Sequence, residues 1–436
     1  MSGSASDGGP DVSASPESPP ADDSRVGGAR PRTPGPDARP PGAGLRAPRA
    51  VHRARARDPR PGLSGIPPEQ LVAWLAEGGQ PAYRARQIAD WLWRGHASQA
   101  ATLRTLPAAL RTALEAAFQP DTLVETTTRL ADDGLTEKAL HRLEDGQLIE
   151  SVLMRYPGSP GRRERATICV SSQAGCAVGC PFCATGELGF GRDLDVAEIV
   201  DQVRYWARRL ATDGRHVTNV VFMGMGEPLL NLDVVIEAAG VLTDPRRFGL
   251  GGRHIAISTS GVTPGIERLA ALRPPWTLAV SLHAARTPLR DVLVPLNRRY
   301  PVEEVVRAAT DYSVATGRRI SYEYVMIDGI NDTPADAAAA VALLHGRLAH
   351  VNLIPMNAVA HTQWQPSRPD RLEAFAGRLR ASGIPVTIRR NRGEEIGAAC
   401  GQLAAERAGL PAPAAARRRR QRLEEAGAAA PGGAGR

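Results

Sequence analysis

Strand-like and helical runs alternate from residue 165 to near residue 390, and this alternation constrains the fold more than any other feature. The strand-like runs are ATICVSS, NVVFMGM, HIAISTS, TLAVSLH, ISYEYVMI and HVNLIPM. Helical stretches such as VAEIVDQVRYWARRL and VEEVVRAATDYSVAT separate them. Six β–α units of this kind predict an α/β fold, a partial (β/α)6 barrel with a parallel sheet. PVTIRR, at residues 385–390, is predicted to be one further strand.

Polar and glycine-rich motifs follow five of these six predicted strands. They are Cys176, Gly224–Pro228, Ser258–Gly261, Ser281–His283 and Asn357. In parallel barrels the chemistry gathers at the C-terminal ends of the strands. We therefore expect these five motifs to meet on one rim of the barrel.

The chain has five cysteines, and three of them, Cys176, Cys180 and Cys183, form a C-x3-C-x2-C loop directly after the first barrel strand. Three thiolates at this spacing can hold a four-iron cluster and leave one iron free to chelate the amino and carboxylate groups of S-adenosylmethionine. The alternative is a structural zinc site that takes Cys169 as a fourth ligand. The three-residue first gap and the position at the start of a β–α repeat favour the cluster.

The remaining rim motifs suit an S-adenosylmethionine pocket. Glycines such as Gly226 allow the backbone to approach a ligand closely, and Glu227 can bind an ammonium group. Short polar side chains for a carboxylate and a ribose are Ser258, Ser281, His283 and Asn357. Taken singly, each of these residues could instead cap a helix.

Composition divides the rest of the chain. We expect a disordered Pro/Gly/Ala/Arg-rich leader at 1–63, a helical RNA-binding-type domain at 64–120 and a small antiparallel β extension at 121–160. The partial barrel with a C-terminal cysteine loop then spans 161–405, and a disordered basic tail 406–436. The arginine run at 417–420 in this tail is either a solvated segment or a non-specific RNA contact.

The net charge of +8 and the pI of about 9.7 favour a polyanionic partner. Lys138 is the only lysine among 54 lysines and arginines, a skew that GC-rich coding explains. No apolar run is long enough to span a membrane, and the N-terminus lacks the features of a secretory signal. We therefore expect a cytoplasmic protein without membrane contact.

Several of these motifs together resemble one known family. CAVGCPFCATGELGF, FMGMGEPLLN, STSGV, SLHA, NLIPMN and, above all, GEEIGAACGQL are similar to the RlmN/Cfr family of radical S-adenosylmethionine RNA methyltransferases. The resemblance covers residues 65 to about 405. Small departures from the family pattern are Glu187 and the run Glu394–Gly397, where the family usually has Asp-Asp-Ile-Asp.

The resemblance implies a role for each site residue. Cys176, Cys180 and Cys183 would bind one [4Fe-4S] cluster per chain. Cys400 would carry an S-methylcysteine intermediate, Cys169 would resolve it through a transient disulfide with Cys400, and Glu150 would be the proton acceptor. Contacts to S-adenosylmethionine are implied for Gly226, Glu227, Ser258, Ser281, Leu282, His283 and Asn357. Without the resemblance, Cys400 would be interpreted as a buried apolar cysteine.

The resemblance also implies the reaction and its partners. It implies methylation of C2 of adenine 2503 in 23S rRNA and of adenine 37 in some tRNAs, with two S-adenosylmethionine molecules consumed per methylation. It further implies a monomer served by a flavodoxin- or ferredoxin-type electron donor. Three alternatives stay open: methylation of C8 of the rRNA adenine, a radical S-adenosylmethionine activase of a partner protein, and a non-catalytic iron–sulfur RNA-binding module.

Overall fold

A computed structural model describes residues 58–95, 98–161, 163–389 and 392–403. Most of the predicted leader and all of the basic tail from residue 406 lie outside these described residues. None of the helices in the described ranges is both long and apolar enough to cross a bilayer.

The first described segment is helical. Helices α1 (Pro68–Glu77), α2 (Tyr83–Trp93) and α3 (Ala108–Ala117) each bury apolar residues three or four positions apart. A short 3-10 helix, Leu63–Gly65, precedes them, and its first residue donates a backbone hydrogen bond to Gln119 at 2.8 Å. Residues 61–63, which composition assigned to the leader, therefore pack against the end of the helical segment.

The next segment forms three antiparallel strands that are continuous with the barrel. Strands β1 (Val124–Ala131), β2 (Thr136–Arg142) and β3 (Leu148–Tyr156) pair in that order. Strand β4 (Arg165–Cys169) then pairs antiparallel with β3 and begins the parallel part of the sheet. The extension is thus one side of a larger sheet.

A two-stranded hairpin, β5 (Gln173–Gly175) and β6 (Phe190–Asp193), interrupts the alternation and encloses α4 (Ala184–Leu188). Alternating elements follow. The helices are α5 (Val196–Thr212), α6 (Leu232–Thr243), α7 (Thr263–Leu272), α8 (Thr287–Leu293), α9 (Val302–Thr316), α10 (Pro334–Leu344) and α11 (Pro369–Ala381). The strands are β7 (Asn219–Phe222), β8 (Ile255–Thr259), β9 (Thr277–Ser281), β10 (Ile320–Met326), β11 (Ala349–Pro355) and β12 (Val386–Ile388).

All of these strands except β5 and β6 form one ten-stranded sheet, in the order β1-β2-β3-β4-β7-β8-β9-β10-β11-β12. From β4 to β12 every neighbouring pair is parallel, and side chains from these strands line a common cavity. The predicted α/β partial barrel with an antiparallel extension is confirmed, and PVTIRR contributes β12. The sheet ends at β1 on one side and at β12 on the other.

The two faces of the antiparallel extension have different neighbours. Odd-numbered positions of β2 and β3 face α5, where Trp206 donates from its indole nitrogen to the Ser151 hydroxyl at 2.8 Å. The Ser151 hydroxyl also bonds His141 Nε2 at 2.8 Å. Even-numbered positions such as Val152 and Met154 face the barrel cavity. This alternation places Lys138 and Glu150 on the cavity side.

Candidate active site

All five cysteines line one cavity of about 670 Å³ inside the curved parallel sheet. Cys169 ends β4, Cys176, Cys180 and Cys183 lie in the following loop, and Cys400 comes from beyond β12. The five rim motifs from the sequence meet here as expected, because residues from each of them also line the cavity. Sequence positions that are far apart are thereby gathered into one site.

The cysteine loop is closed by the β5–β6 hairpin. Cys176 donates its backbone N–H to the Gly189 carbonyl at 2.8 Å. Gly175 has a φ of 81°, and a Cβ at this position would lie 2.0 Å from the same carbonyl oxygen, so only glycine fits. Gly186 is equally constrained, since a Cβ there would lie 2.9 Å from the Cys180 backbone nitrogen.

The donor chemistry of this loop fits a cluster. Burial, together with the neighbouring Cys183, raises the pKa of Cys176 to about 12, so that the thiolate needs a cationic ligand to form. Among the described residues, no three His, Cys, Asp or Glu side chains converge tightly enough to hold a single metal ion. A cubane cluster requires wider spacing, because each cysteine binds a different iron atom. Three loop thiols that line one cavity are a donor set that fits such a cluster.

Glu227 is one of the buried carboxylates that line the cavity and is 3% exposed. Its Oε2 accepts hydrogen bonds from the backbone N–H and the hydroxyl of Ser260, both at 2.7 Å. Burial raises the pKa of Glu227 above its usual range, and the Ser260 donors partly offset this. The preceding Gly226 has a φ of 108°, and a Cβ there would collide with Gln173 at 2.7 Å. Glycine thus lets this loop turn Glu227 into the cavity.

A polar wall of the cavity comes from β8, β9 and the segment that follows β9. The Ser258 and Ser281 hydroxyls lie 3.5 Å apart. His283 has a φ of 55°, a conformation rare for a side-chain-bearing residue and frequent at functional sites. Its Nδ1 accepts from the Val325 N–H at 3.1 Å, and burial lowers its pKa to about 3. His283 is therefore neutral and bears its proton on Nε2.

Arg290 fixes this wall from behind and was missed by the sequence analysis. It is fully buried and donates to the carbonyls of Leu282 at 2.9 Å and Ser260 at 2.7 Å. It also donates to the Ser281 carbonyl at 3.1 Å and to Asn297 Oδ1 at 2.8 Å. Leu282, the remaining residue with an implied cofactor contact, is completely buried and is held through this backbone bond. In a chain so rich in arginine, no sequence signal distinguished Arg290.

Cys169 and Cys400 face the same cavity in different surroundings. Cys169 is 8% exposed, and burial followed by the neighbouring Cys400 raises its pKa to about 12. Cys400 is exposed to the open space of the cavity. The protein that encloses this space raises the pKa of Cys400 to about 11, while Arg389 acts in the opposite direction. Both cysteines are free thiols here.

The loop that carries Cys400 is anchored at the barrel rim. Asn357, which follows β11, donates from Nδ2 to the Cys400 carbonyl at 2.8 Å. Ala184, after the cysteine loop, donates its N–H to the Gly401 carbonyl at 2.7 Å. The buried Oδ1 of Asn357 has no hydrogen-bond partner among the described residues and is available to a bound ligand.

Basic side chains also line the cavity, and the sequence analysis did not identify them individually. Arg165 and Arg392 contact the Tyr156 ring at 4.2 and 4.5 Å from its centroid. Arg389 pairs with Glu323 at 3.3 Å. These cations give the cavity a surface that attracts phosphate.

Glu150 lies on the cavity-facing side of β3 but is not part of the cavity wall. It is 1% exposed, and its Oε1 forms an ion pair with Lys138 Nζ at 3.0 Å. Its strand neighbour on the same face, Val152, does line the cavity. The carboxylate is therefore adjacent to the site and is held by a buried cation.

Comparison with known proteins yields one family and several close relatives. Residues 170–341 match the family model of the Radical SAM superfamily. The chain is 49% identical over 366 residues to a probable dual-specificity RNA methyltransferase RlmN of Parafrankia sp. strain EAN1pec, covering 81% of this chain and 93% of that protein. It is 44% identical to the protein of the same name from Gemmatimonas aurantiaca, and the match covers 82% of this chain and 96% of that protein.

A solved structure resembles a large part of this chain. The crystal structure of a radical SAM methyltransferase from Sphaerobacter thermophilus is 45% identical, with a TM-score of 0.76. The match covers 79% of this chain and all of the chain from Sphaerobacter thermophilus.

Proposed function

Because the chain belongs to the RlmN family of radical S-adenosylmethionine RNA methyltransferases, we propose that it methylates C2 of one adenine in 23S rRNA and of one adenine in some tRNAs. The methyl group is carried to the base on Cys400. The observation that supports this route is the presence of Cys169 and Cys400 beside the three loop cysteines in one cavity. Nothing in a simple cluster site requires these two additional thiols.

The choice of C2 explains why a radical route is needed. A C2–H between two ring nitrogens is electron-poor, so transfer of a methyl cation to this carbon fails, whereas a carbon radical can add to it. When bound, the cluster and S-adenosylmethionine supply the electron and the hydrogen-abstracting radical. The chain itself must carry the methyl group, hold the adenine and exclude water. Two S-adenosylmethionine molecules are consumed per methylation, one of them to methylate Cys400.

The cavity residues divide these tasks. In this proposal Cys176, Cys180 and Cys183 hold the cluster, and the Glu227 carboxylate binds the ammonium group of S-adenosylmethionine; all four side chains line the cavity. The remaining cofactor contacts are the Gly226 backbone, the Ser258, Ser281 and His283 wall with Leu282 behind it, and the unpartnered Oδ1 of Asn357. The neutral state of His283 suits a ribose hydroxyl, to which its Nε2–H can donate.

Release of the product uses the second thiol. Cys169 gives up its proton and attacks the Cys400 sulfur, and the bond between that sulfur and the methylene carbon breaks with its electron pair on the carbon. This carbon takes up a proton to become the methyl group, and a Cys169–Cys400 disulfide remains. The high pKa of Cys169 keeps it protonated and unreactive until this step. Glu150 accepts the proton that C2 loses. An electron donor of flavodoxin or ferredoxin type supplies the cluster, and the arginines of the cavity wall attract the RNA backbone.

The decisive experiment is an anaerobic assay of the reconstituted full chain with naked 23S rRNA fragments and with tRNA. Nucleosides from the product RNA are identified by mass spectrometry against 2-methyladenosine and 8-methyladenosine. We expect 2-methyladenosine in both RNAs, and none when the target adenine is replaced. 8-Methyladenosine would establish the C8 alternative, and S-adenosylmethionine cleavage without any methylated RNA would favour an activase.

A further inference from the structure

The single lysine of this chain occupies a buried position beside the site. Lys138 is the single lysine among the 54 lysines and arginines of the chain, and all the others are arginine. It is only 7% exposed, whereas unpaired lysines almost never leave water. A coding bias that favours arginine everywhere else has left lysine here, which points to a requirement for the smaller ammonium group.

The sheet register places Lys138 next to Glu150. Lys138 of β2 pairs directly with Val152 of β3, and Glu150 lies two residues further along on the same face. This diagonal arrangement lets the two side chains meet, and Nζ lies 3.0 Å from the Glu150 Oε1. Both side chains are buried, so water weakens their attraction little.

The same ammonium group binds the loop that carries Cys400. Lys138 Nζ donates to the Gly397 carbonyl at 3.2 Å. Gly397 has a φ of 64°, and a Cβ there would lie 3.3 Å from Nζ. The loop backbone therefore packs directly against the lysine, three residues before Cys400.

Other hydrogen bonds also join this loop to the strands, and one of them is exposed. Gly393 donates its N–H to Asp132 Oδ2 at 3.0 Å, and Asp132 donates its own N–H to Glu395 at 3.2 Å. Arg392 donates to the Arg155 carbonyl at 2.9 Å. Glu395 is exposed, and a charged hydrogen bond is worth more in a buried position than in water. In this group, the Lys138 contact is the one made by a charged side chain that is itself buried.

Arginine is a poor replacement at this position for a geometric reason. An ammonium group is compact and donates in three tetrahedral directions, so it can bind a carboxylate on the sheet and a carbonyl in the overlying loop. A guanidinium is larger and planar, and its donors form a rigid fork suited to acceptors that lie in its plane. The buried space between β2, β3 and the loop suits the smaller group.

We propose that Lys138 is a positioning residue that docks the Cys400 loop onto the antiparallel strands and holds the Glu150 carboxylate beneath it. The inference deepens the proposed function, on which the roles of Cys400 and Glu150 rest. The docking itself stands on the Lys138–Glu150 ion pair and the Lys138–Gly397 hydrogen bond and does not depend on the reaction.

Hydrogen exchange tests the docking in the full-length, reconstituted protein without RNA. Lys138→Met alone leaves a buried carboxylate without its counter-ion and destabilises the whole fold, so the comparison uses two other variants. Glu150→Gln retains the lysine and its bond to Gly397, and Lys138→Met/Glu150→Gln removes both charges. We expect backbone amides of residues 393–401 to exchange about tenfold faster or more in the double variant than in Glu150→Gln. Equal exchange rates in the two variants would overturn the proposal.

Arg209→Met is the matched control for removing a cation from this sheet. Arg209 pairs with Glu137 at 2.7 Å on the opposite face of β2, and Glu137 retains Arg155 as a second partner. We expect exchange in residues 393–401 to match the wild type in this variant. A comparable increase would mean that the loop responds to any loosening of the extension, and the specific role of Lys138 would be lost.

Lys138→Arg tests whether docking of the loop affects the methylation of Cys400. It conserves the charge, and we expect near-normal stability but Cys400 methylation at least tenfold slower, measured as the mass gain of the intact protein. Wild-type methylation in Lys138→Arg would refute the requirement for lysine. If wild-type Cys400 itself acquires no methyl group, the proposed function fails, while the exchange experiment still decides whether Lys138 docks the loop.

Discussion

Asn357 donates a hydrogen bond from its side-chain amide to the Cys400 carbonyl at 2.8 Å, and so joins the end of β11 to the loop bearing the exposed thiol. The bond fixes the backbone of Cys400 rather than its sulfur. The sulfur is thereby left free to face the cavity.

Replacing Asn357 with alanine is expected to slow Cys400 methylation by about three- to tenfold, the usual effect of one neutral hydrogen bond. The Michaelis constant for S-adenosylmethionine should rise as well, because the unpartnered Oδ1 is lost. Timed intact-mass measurements of Cys400 at several cofactor concentrations check both effects. A normal rate would mean that the other rim contacts suffice to hold the loop.

Cys400→Ala is expected to abolish RNA methylation, a loss of about 10³-fold or more, because no other thiol can carry the methyl group. The cluster should still assemble, since its three ligands are untouched, and its absorption spectrum provides that control. The rate is measured by incorporation of labelled methyl groups into 23S rRNA fragments. Residual methylation at more than a few per cent of the wild-type rate would refute the covalent route.

Cys169→Ala is expected to methylate Cys400 normally and then to stall while attached to RNA. In the proposed route the buried Cys169 thiol releases the product, so the adduct between Cys400 and the adenine should persist in this variant. A slowly migrating protein–RNA band on a denaturing gel, sensitive to ribonuclease, would show this. Normal turnover without a trapped species would remove Cys169 from the release step.

Arg290→Met should lower the free energy of unfolding by about 3 kcal/mol or more, because three carbonyls and an amide oxygen lose a buried charged donor. Arg307→Met, at an exposed position of α9, is the control, with a change within about 0.5 kcal/mol. Urea unfolding of both variants under anaerobic conditions provides the comparison. Equal changes in the free energy of unfolding for the two variants would show that the buried contacts of Arg290 do not stabilise the fold.

His141 should make the protein sensitive to acid. Burial lowers its pKa to about 4, so the folded state binds fewer protons than the unfolded state at this group. Stability from the neutral ring is complete above pH 6.5 and is lost as the pH falls toward 4, about 2 kcal/mol of it by pH 5. In His141→Gln, the urea concentration at the unfolding midpoint should fall less between pH 7 and pH 5 than it does in the wild type. An unchanged slope would assign the acid sensitivity to other groups, such as His283.

The sequence predicted the regular parts of this molecule well. The barrel strands carry apolar runs bounded by turn residues, and the rim rule brought Gly226, Ser258 and Asn357 to one cavity without structural information. The β5–β6 hairpin was missed because strands of three and four residues are too short for a detectable period. Its function is local: it closes the cysteine loop.

Single charged residues were harder to predict. Arg290 and Arg389 are two arginines among many, and only burial and partners distinguish them. Lys138 was visible as the only lysine, but its rarity was attributed to coding bias until its two partners were known. Gly397 was similarly noted as a departure from the family pattern, and the structure shows that it lies against Lys138.

The segment after β12 reaches back to Asp132 beside β1, so the two edges of the sheet are connected by the last described residues of the chain. This order has a consequence during synthesis. A ribosome-bound chain can pair all ten strands before Cys400 has emerged from the exit tunnel. A nascent or truncated protein that ends before residue 393 would therefore retain the loop cysteines but lack Cys400, the thiol that is proposed to carry the methyl group.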